Sequence, residues 1–149
     1  MATMYEMLMQ LPLFQGVSVD QMTRILEVTP FEFQSYGVDE PIIRGGDPCL
    51  GTAFLLSGSV RLVTPVFNHR VVITQSFDAP YIFSLHHLFG AEVQVRSTMV
   101  SKTDKTGIMV LKKKDFLRIL HENEIALINT FFFLGGWGGK QHKAIDFYL

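Results

Sequence analysis

The chain has 149 residues, a length that suits one domain with a short appendage. Its residues are 48% hydrophobic, enough for a core, and 13 basic against 14 acidic side chains leave a net charge of −1, so no bulk field points to a polyanion partner. The single cysteine, Cys49, excludes an internal disulfide and any multi-cysteine zinc or iron–sulfur site within one chain, a usage that fits a reducing cytoplasm.

The opening "MATMYEMLMQLPLF" lacks the basic start, long apolar run and small-residue cleavage site of a secretory signal. Met1, Met4, Met7 and Met9 read as an adaptable packing surface. In "SVDQMTRILEV", Ser18 and Gln21 stand at capping-box spacing, which predicts a short helix with Met22, Ile25, Leu26 and Val28 on its apolar face and its end at Pro30.

From Phe31 to about Leu111 the texture changes to short β-branched and aromatic runs separated by turn residues: "FEFQSYG", "PIIRGGDP", "TAFLLSGSV", "RLVTPVF", "RVVITQSF" and "GIMVLKK". Strands of that length, punctuated at about ten-residue intervals, predict a sandwich, jelly roll or small barrel. A helical pattern returns after "LKKKDFLRIL", with Phe116, Ile119 and Leu120 on one face. The run from Ile125, "IALINTFFFLGGWGG", is shorter than the ~20 residues of a bilayer crossing and is interrupted by four glycines, so it reads as buried protein surface and not as a membrane span. The closing "AIDFYL" has no stop signal, and the chain is expected to be cut from something longer.

The segment "YIFSLHHLFGAEVQVRST", Tyr81 to Thr98, is the most distinctive in the chain: apolar residues carry paired histidines, a glycine, a lone glutamate and an Arg-Ser-Thr triplet. His86 and His87 are adjacent, so they diverge on a strand or a helix and do not chelate one metal together; His69, His121 and His142 are scattered. No GxSxG, HExxH, Walker or paired-cysteine signature is present. Cys49 reads as a turn thiol, and Lys112, Lys113 and Lys114 as a solvated strand end. No cofactor is expected.

"LPLFQGVSVDQMTRIL", "GVDEPIIRGGDPCLGTAFLLSGSVRLV" and "LKKKDFLRILHENEIAL" together resemble the Crp–Fnr family of bacterial transcription regulators, whose effector domain has the cyclic-nucleotide-binding fold. Gly46-Asp47 matches a turn of that pattern, and Phe54 to Gly58 matches a strand and the turn after it; glycine suits both turns because it accepts dihedrals closed to other residues. The fold implied is mainly β with flanking helices: an antiparallel, jelly-roll-like β-roll with N-terminal helices over residues 1–115, then a C-terminal helical dimerisation segment over 116–149.

The resemblance also implies a site. Arg96, Ser97 and Thr98 match the end of the family's phosphate cassette, where an arginine meets the anion. Nucleotide-binding members carry a Gly-Glu pair about ten residues earlier, where this chain reads "IFSLHH" and places Phe83 and Ser84; Glu92, four residues before Arg96, is too close to stand in for that glutamate. Gly138, Gly139 and Lys140 fall where purine-binding members present hydroxyls, so cyclic AMP is a poor fit. Without the family, Arg96 is equally a strand arginine facing solvent or a carboxylate, and the alternation in "VQVRST" puts it on the face opposite Val95 and Ser97.

The reading is an effector-sensing and dimerisation domain, not an enzyme. It is expected to form a homodimer through Ile125, Ile128, Phe132, Phe133 and Trp137, to take a small anionic effector, and to reach DNA only through a helix-turn-helix domain outside this sequence. The alternatives are a cupin-like metal-dependent enzyme, discriminated by metal analysis, and a stand-alone ligand-binding or interaction module.

Overall fold

The structure is a computed structural model that describes residues 4–47, 51–66, 68, 70–83 and 97–134. Helix α1 (Met4–Met9) and a 3-10 turn (Pro12–Phe14) lead into α2 (Val19–Val28). The capping box forms as expected: the Gln21 backbone N–H donates to Ser18 Oγ at 3.2 Å, and the Ser18 N–H donates to Gln21 Oε1 at 3.1 Å. Met22 and Ile25 are buried, but Val28 is exposed because helical spacing sets it about 120° round the helix from Met22.

Eight strands follow among the described residues, in two four-stranded antiparallel sheets. The strands are β1 (Glu32–Tyr36), β2 (Pro41–Ile43), β3 (Gly51–Ser57), β4 (Ser59–Val66), β5 (Val71–Asp78), β6 (Tyr81–Phe83), β7 (Thr98–Ser101) and β8 (Thr106–Lys112). One sheet runs β1-β8-β3-β6 and the other β2-β7-β4-β5, and the antiparallel roll expected from the sequence is the fold observed. Two strands escape the run-by-run reading, β6 and β7, because three and four residues are too few to show a period.

Alternation assigns the faces. Val60, Leu62 and Thr64 of β4 are buried while their neighbours are half-buried, and register sets Val60 opposite Ser101 and Leu62 opposite Met99, so these residues line the interior of the roll. Strand β3 differs, being buried continuously from Thr52 to Leu56. Its Phe54 stacks on Phe116 of α3 (Lys113–Glu122), with ring centroids 5.8 Å apart, while Ala53 and Leu55 stand opposite Phe83 and Tyr81 on the inner face. Helix α3 is thus laid on the outside of the roll by Phe116, Ile119 and Leu120, the apolar face read from the sequence.

The C-terminal segment is two helices in succession. Asn123 breaks the pattern: it is extended, its backbone N–H donates to Ile119 O to close α3, and its Oδ1 accepts from the Ala126 N–H in the first turn of α4 (Glu124–Leu134). Arg118 Nη2 donates to Val28 O at 3.0 Å and lies 3.6 Å from Asp115 Oδ1, tying α3 to the end of α2.

Glycine is required at Gly58, between β3 and β4. Its φ is +81°, and a Cβ there would stand 2.9 Å from the Lys105 carbonyl oxygen and 2.5 Å from Thr103 Oγ1. The space is taken by a hydroxyl network: Ser101 Oγ donates to Thr106 Oγ1 at 2.7 Å, Thr106 Oγ1 donates to Ser59 O, and the Ser59 N–H donates to Thr103 Oγ1. Gly46 has φ +97° and open space around it. Gly46→Ala is therefore expected to cost about 1 kcal/mol through the backbone alone, and Gly58→Ala about 3 kcal/mol once overpacking is added. Urea denaturation of the two variants checks the ordering.

Candidate functional site

The stretch singled out in the sequence begins on β6 and ends on β7, and residues 84–96 between them lie outside the described residues. Arg96 and Ser84 are therefore not placed. Phe83, Ser97 and Thr98 are, and the structure sends them in different directions.

Phe83 is buried on the inner face of its sheet. Its ring meets Phe77 of β5 edge-on at 5.4 Å and Tyr81 at 4.8 Å, and Phe77 stacks on Tyr81 at 4.9 Å. These three rings bridge the two sheets, so Phe83 is a wall of the interior packed into the core. Ser97 is also buried and turned inward, where its hydroxyl and that of Thr64 share a hydrogen bond. Thr98 is turned outward, opposite Val63, and its Oγ1 accepts from the Gly45 N–H at 3.0 Å, tying β7 to the turn after β2. The two hydroxyls of the triplet therefore serve opposite faces, with only Ser97 on the interior side.

Thr64 and Gln75 are the inner-face polar residues that sequence reasoning missed. The signal was available in "SVRLVT", whose alternation puts Thr64 in line with Val60 and Leu62. Gln75 stands opposite Leu62, with its Oε1 buried and without a hydrogen-bond partner. Ser101, opposite Val60, puts a buried hydroxyl near Gly58, where Thr106 pairs it; at the other end, where β7 begins, Thr64 and Ser97 pair with each other and Ile73 stands opposite Thr64. That end can offer hydroxyl and amide groups to a small polar molecule, each at a cost if left unpaired.

Other charged groups stand apart from this tier. Burial, and then the nearby Glu40 carboxylate, push the Tyr36 phenol above its ordinary value, at the β1 edge of the other sheet. His121 is exposed in the last turn of α3, while His69, His86, His87 and His142 lie outside the described residues. Among the described residues no group of three or more His, Cys, Asp or Glu side chains could hold a metal.

The residues expected at a dimer interface divide in the same way. Ala126 and Thr130 of α4 are fully buried, and Asn129 Nδ2 donates to Leu13 O at 2.9 Å and to Gln15 O at 2.8 Å, so this face is docked on the 3-10 turn of its own chain. Ile125 is half-buried on that side against Gly16. On the other face Ile128 and Phe132 are 51% and 54% exposed, beside an exposed Phe131 that the sequence reading did not name. The Phe133 side chain and Trp137 lie outside the described residues.

A family model for the cyclic nucleotide-binding domain matches residues 33–123, more than half of the chain. The chain belongs to the cyclic nucleotide-binding domain family. The match takes in β1 through α3, so α3 is included with the roll. As a cyclic nucleotide-binding domain the chain is similar in fold to the catabolite activator protein of Thermus thermophilus, at TM-score 0.72 and 21% identity, covering 91% of this chain and 60% of that one. It is similar to the sensor domain of the transcriptional regulator DNR from Pseudomonas aeruginosa, at TM-score 0.68 and 17% identity, covering 89% of this chain and 91% of that one. A cAMP-binding acyltransferase from Mycobacterium smegmatis shares the fold at TM-score 0.65 and 19% identity, covering 87% of this chain and 40% of that one. No curated protein sequence matches the chain significantly. No helix among the described residues is long and apolar enough to cross a membrane.

The buried hydroxyl pair yields a test. Thr64→Val or Ser97→Ala alone leaves one hydroxyl buried without its partner and is expected to cost about 1–3 kcal/mol. Changing both together should cost less than the sum of the two single losses, which a double-mutant cycle in urea measures directly.

Proposed function

We infer that this cyclic nucleotide-binding domain is the effector-sensing and dimerisation part of a Crp–Fnr-like transcription regulator, acting without catalysis. The observation that carries the reading is the division of α4. One face is committed to the 3-10 turn through Ala126, Asn129 and Thr130, and the other presents Ile128 and Phe132 to solvent at more than half exposure. A helix so placed already has its intramolecular partner, and burying the second face against the same helix of a second copy removes two large apolar side chains from water.

The effector belongs between the roll and this helix, at the end of the interior where β7 begins. Its anionic group is assigned to Arg96, with Ser97 as the inward hydroxyl, Thr98 as the residue that holds β7 to Gly45, Ser84 as a second hydroxyl, and Phe83 as an aromatic wall of the interior and not a direct contact. Since Ser97 turns inward, a regular strand through residue 96 would carry the guanidinium outward and a bulge would carry it inward. Ligand occupancy shifts the relative orientation of two α4 helices, and through them of DNA-reading domains carried elsewhere in the full regulator.

Two outcomes test this. At low micromolar concentration, Ile128→Asp or Phe132→Glu should turn a dimer into a monomer by light scattering while circular dichroism stays unchanged; a parent chain that is monomeric even at high micromolar concentration would overturn the interface. Calorimetry with cyclic AMP should give a dissociation constant weaker than about 100 µM, because the Gly-Glu pair and the purine-facing hydroxyls are missing. A value below about 10 µM, lost in Arg96→Ala, would instead establish Arg96 as a cyclic-nucleotide anchor.

A further inference from the structure

Strand β5 forms the edge of its sheet, and among the described strands it pairs with β4 alone, without a register break from Val71 to Asp78. Soluble proteins ordinarily guard such an edge with charges, prolines, bulges or short length, because its unpaired N–H and C=O groups template another strand. Here the strand has no bulge and no proline, and among the described residues the one charge that reaches it from elsewhere is Lys102, whose Nζ donates to Ser76 Oγ at 3.1 Å. The strand is eight residues long, and "VVITQSF" from Val71 to Phe77 has neither a charge nor a proline. Val71 and Val72 are 46% and 56% exposed. Charge occurs only at the two ends, with Arg70 just before the strand and Asp78 as its last residue, both exposed.

We propose that β5 pairs antiparallel with β5 of a second copy of this chain, about a two-fold axis through Thr74. In that register Arg70 of each copy stands opposite Asp78 of the other, Val71 opposite Phe77, Val72 opposite Ser76, and Ile73 opposite Gln75. The strand is self-complementary in this register: both ends form opposite-charge pairs, and inner-face residues meet inner-face residues, so the two sheets join into one continuous sheet. A slip by two residues sets Arg70 against Ser76 or Pro80 and removes both charge pairs. A slip by one sets outer-face residues against inner-face ones. The interface is separate from the α4 face and does not depend on it. A chain that uses both surfaces assembles beyond a dimer.

The test uses the full chain carrying Ile128→Asp, so that contact through α4 is removed and only the edge remains. Sedimentation velocity at high micromolar concentration should show reversible self-association. Arg70→Asp should weaken it about tenfold, since two attractive cross-strand pairs become repulsive, and Asp78→Arg should do the same. The double swap Arg70→Asp with Asp78→Arg should restore it, a recovery that loss of the Ser59 hydrogen bond to Asp78 cannot produce. Thr74→Cys, in a background with Cys49→Ser, should give a covalent dimer with a short bis-maleimide linker, whereas a cysteine at the exposed Val38 should not. Absence of self-association, failure of the double swap to rescue, or equal cross-linking at positions 74 and 38 would each overturn the proposal.

Discussion

Strand β3 has water on neither face, and the rest of the molecule is arranged around that fact. Its inner residues Ala53 and Leu55 meet the aromatic residues of β6, and its outer Phe54 stacks on Phe116 of α3. Both neighbours, β8 and β6, hydrogen-bond to it, so the strand is enclosed by backbone partners at its sides and by side chains above and below. A strand in that position reads as a continuous apolar run, and "TAFLL" does so. Close packing extends to the backbone: a Cβ on Gly51 would stand 2.3 Å from the Leu111 carbonyl oxygen.

Covering β3 from outside fixes α3, and α3 in turn sets where the chain can go next. Arg118 holds α3 to the end of α2, and Asn123 ends it one residue past Glu122. Helix α4 starts again in a new direction because the Asn123 side chain caps it, and the two hydrogen bonds from Asn129 hold it on the 3-10 turn. Burial on the roll and exposure of Ile128 and Phe132 are therefore consequences of one chain of contacts that begins at Phe54.

The interior sets polar groups among apolar ones. Aromatic rings close it at Phe77, Tyr81 and Phe83, and hydroxyl and amide groups line it at Thr64, Ser97 and Gln75. Thr64 and Ser97 have one another as partners, and Gln75 Oε1 has none among the described residues.

Local signals determined a good deal. Ser18 and Gln21 sit within one helical turn, so their capping box depends on no distant residue and was legible in the sequence. The turn at Gly58 was legible for the same reason, since a positive φ is a property of one residue. The alternation of β4 carries Thr64 inward in line with Val60 and Leu62. What tertiary structure alone decided is the outcome of long-range pairing. Strands of three and four residues, β6 and β7, have too few side chains to show a period and exist because β3 and β4 lend them hydrogen-bond partners. Ser97 and Thr98 are chemically alike and adjacent, and only the register of β7 against β4 sends one to the interior and the other to Gly45. Helix α4 is apolar nearly all round, so its sequence could not say which face would be covered; the 3-10 turn, more than a hundred residues earlier, made the choice through Asn129.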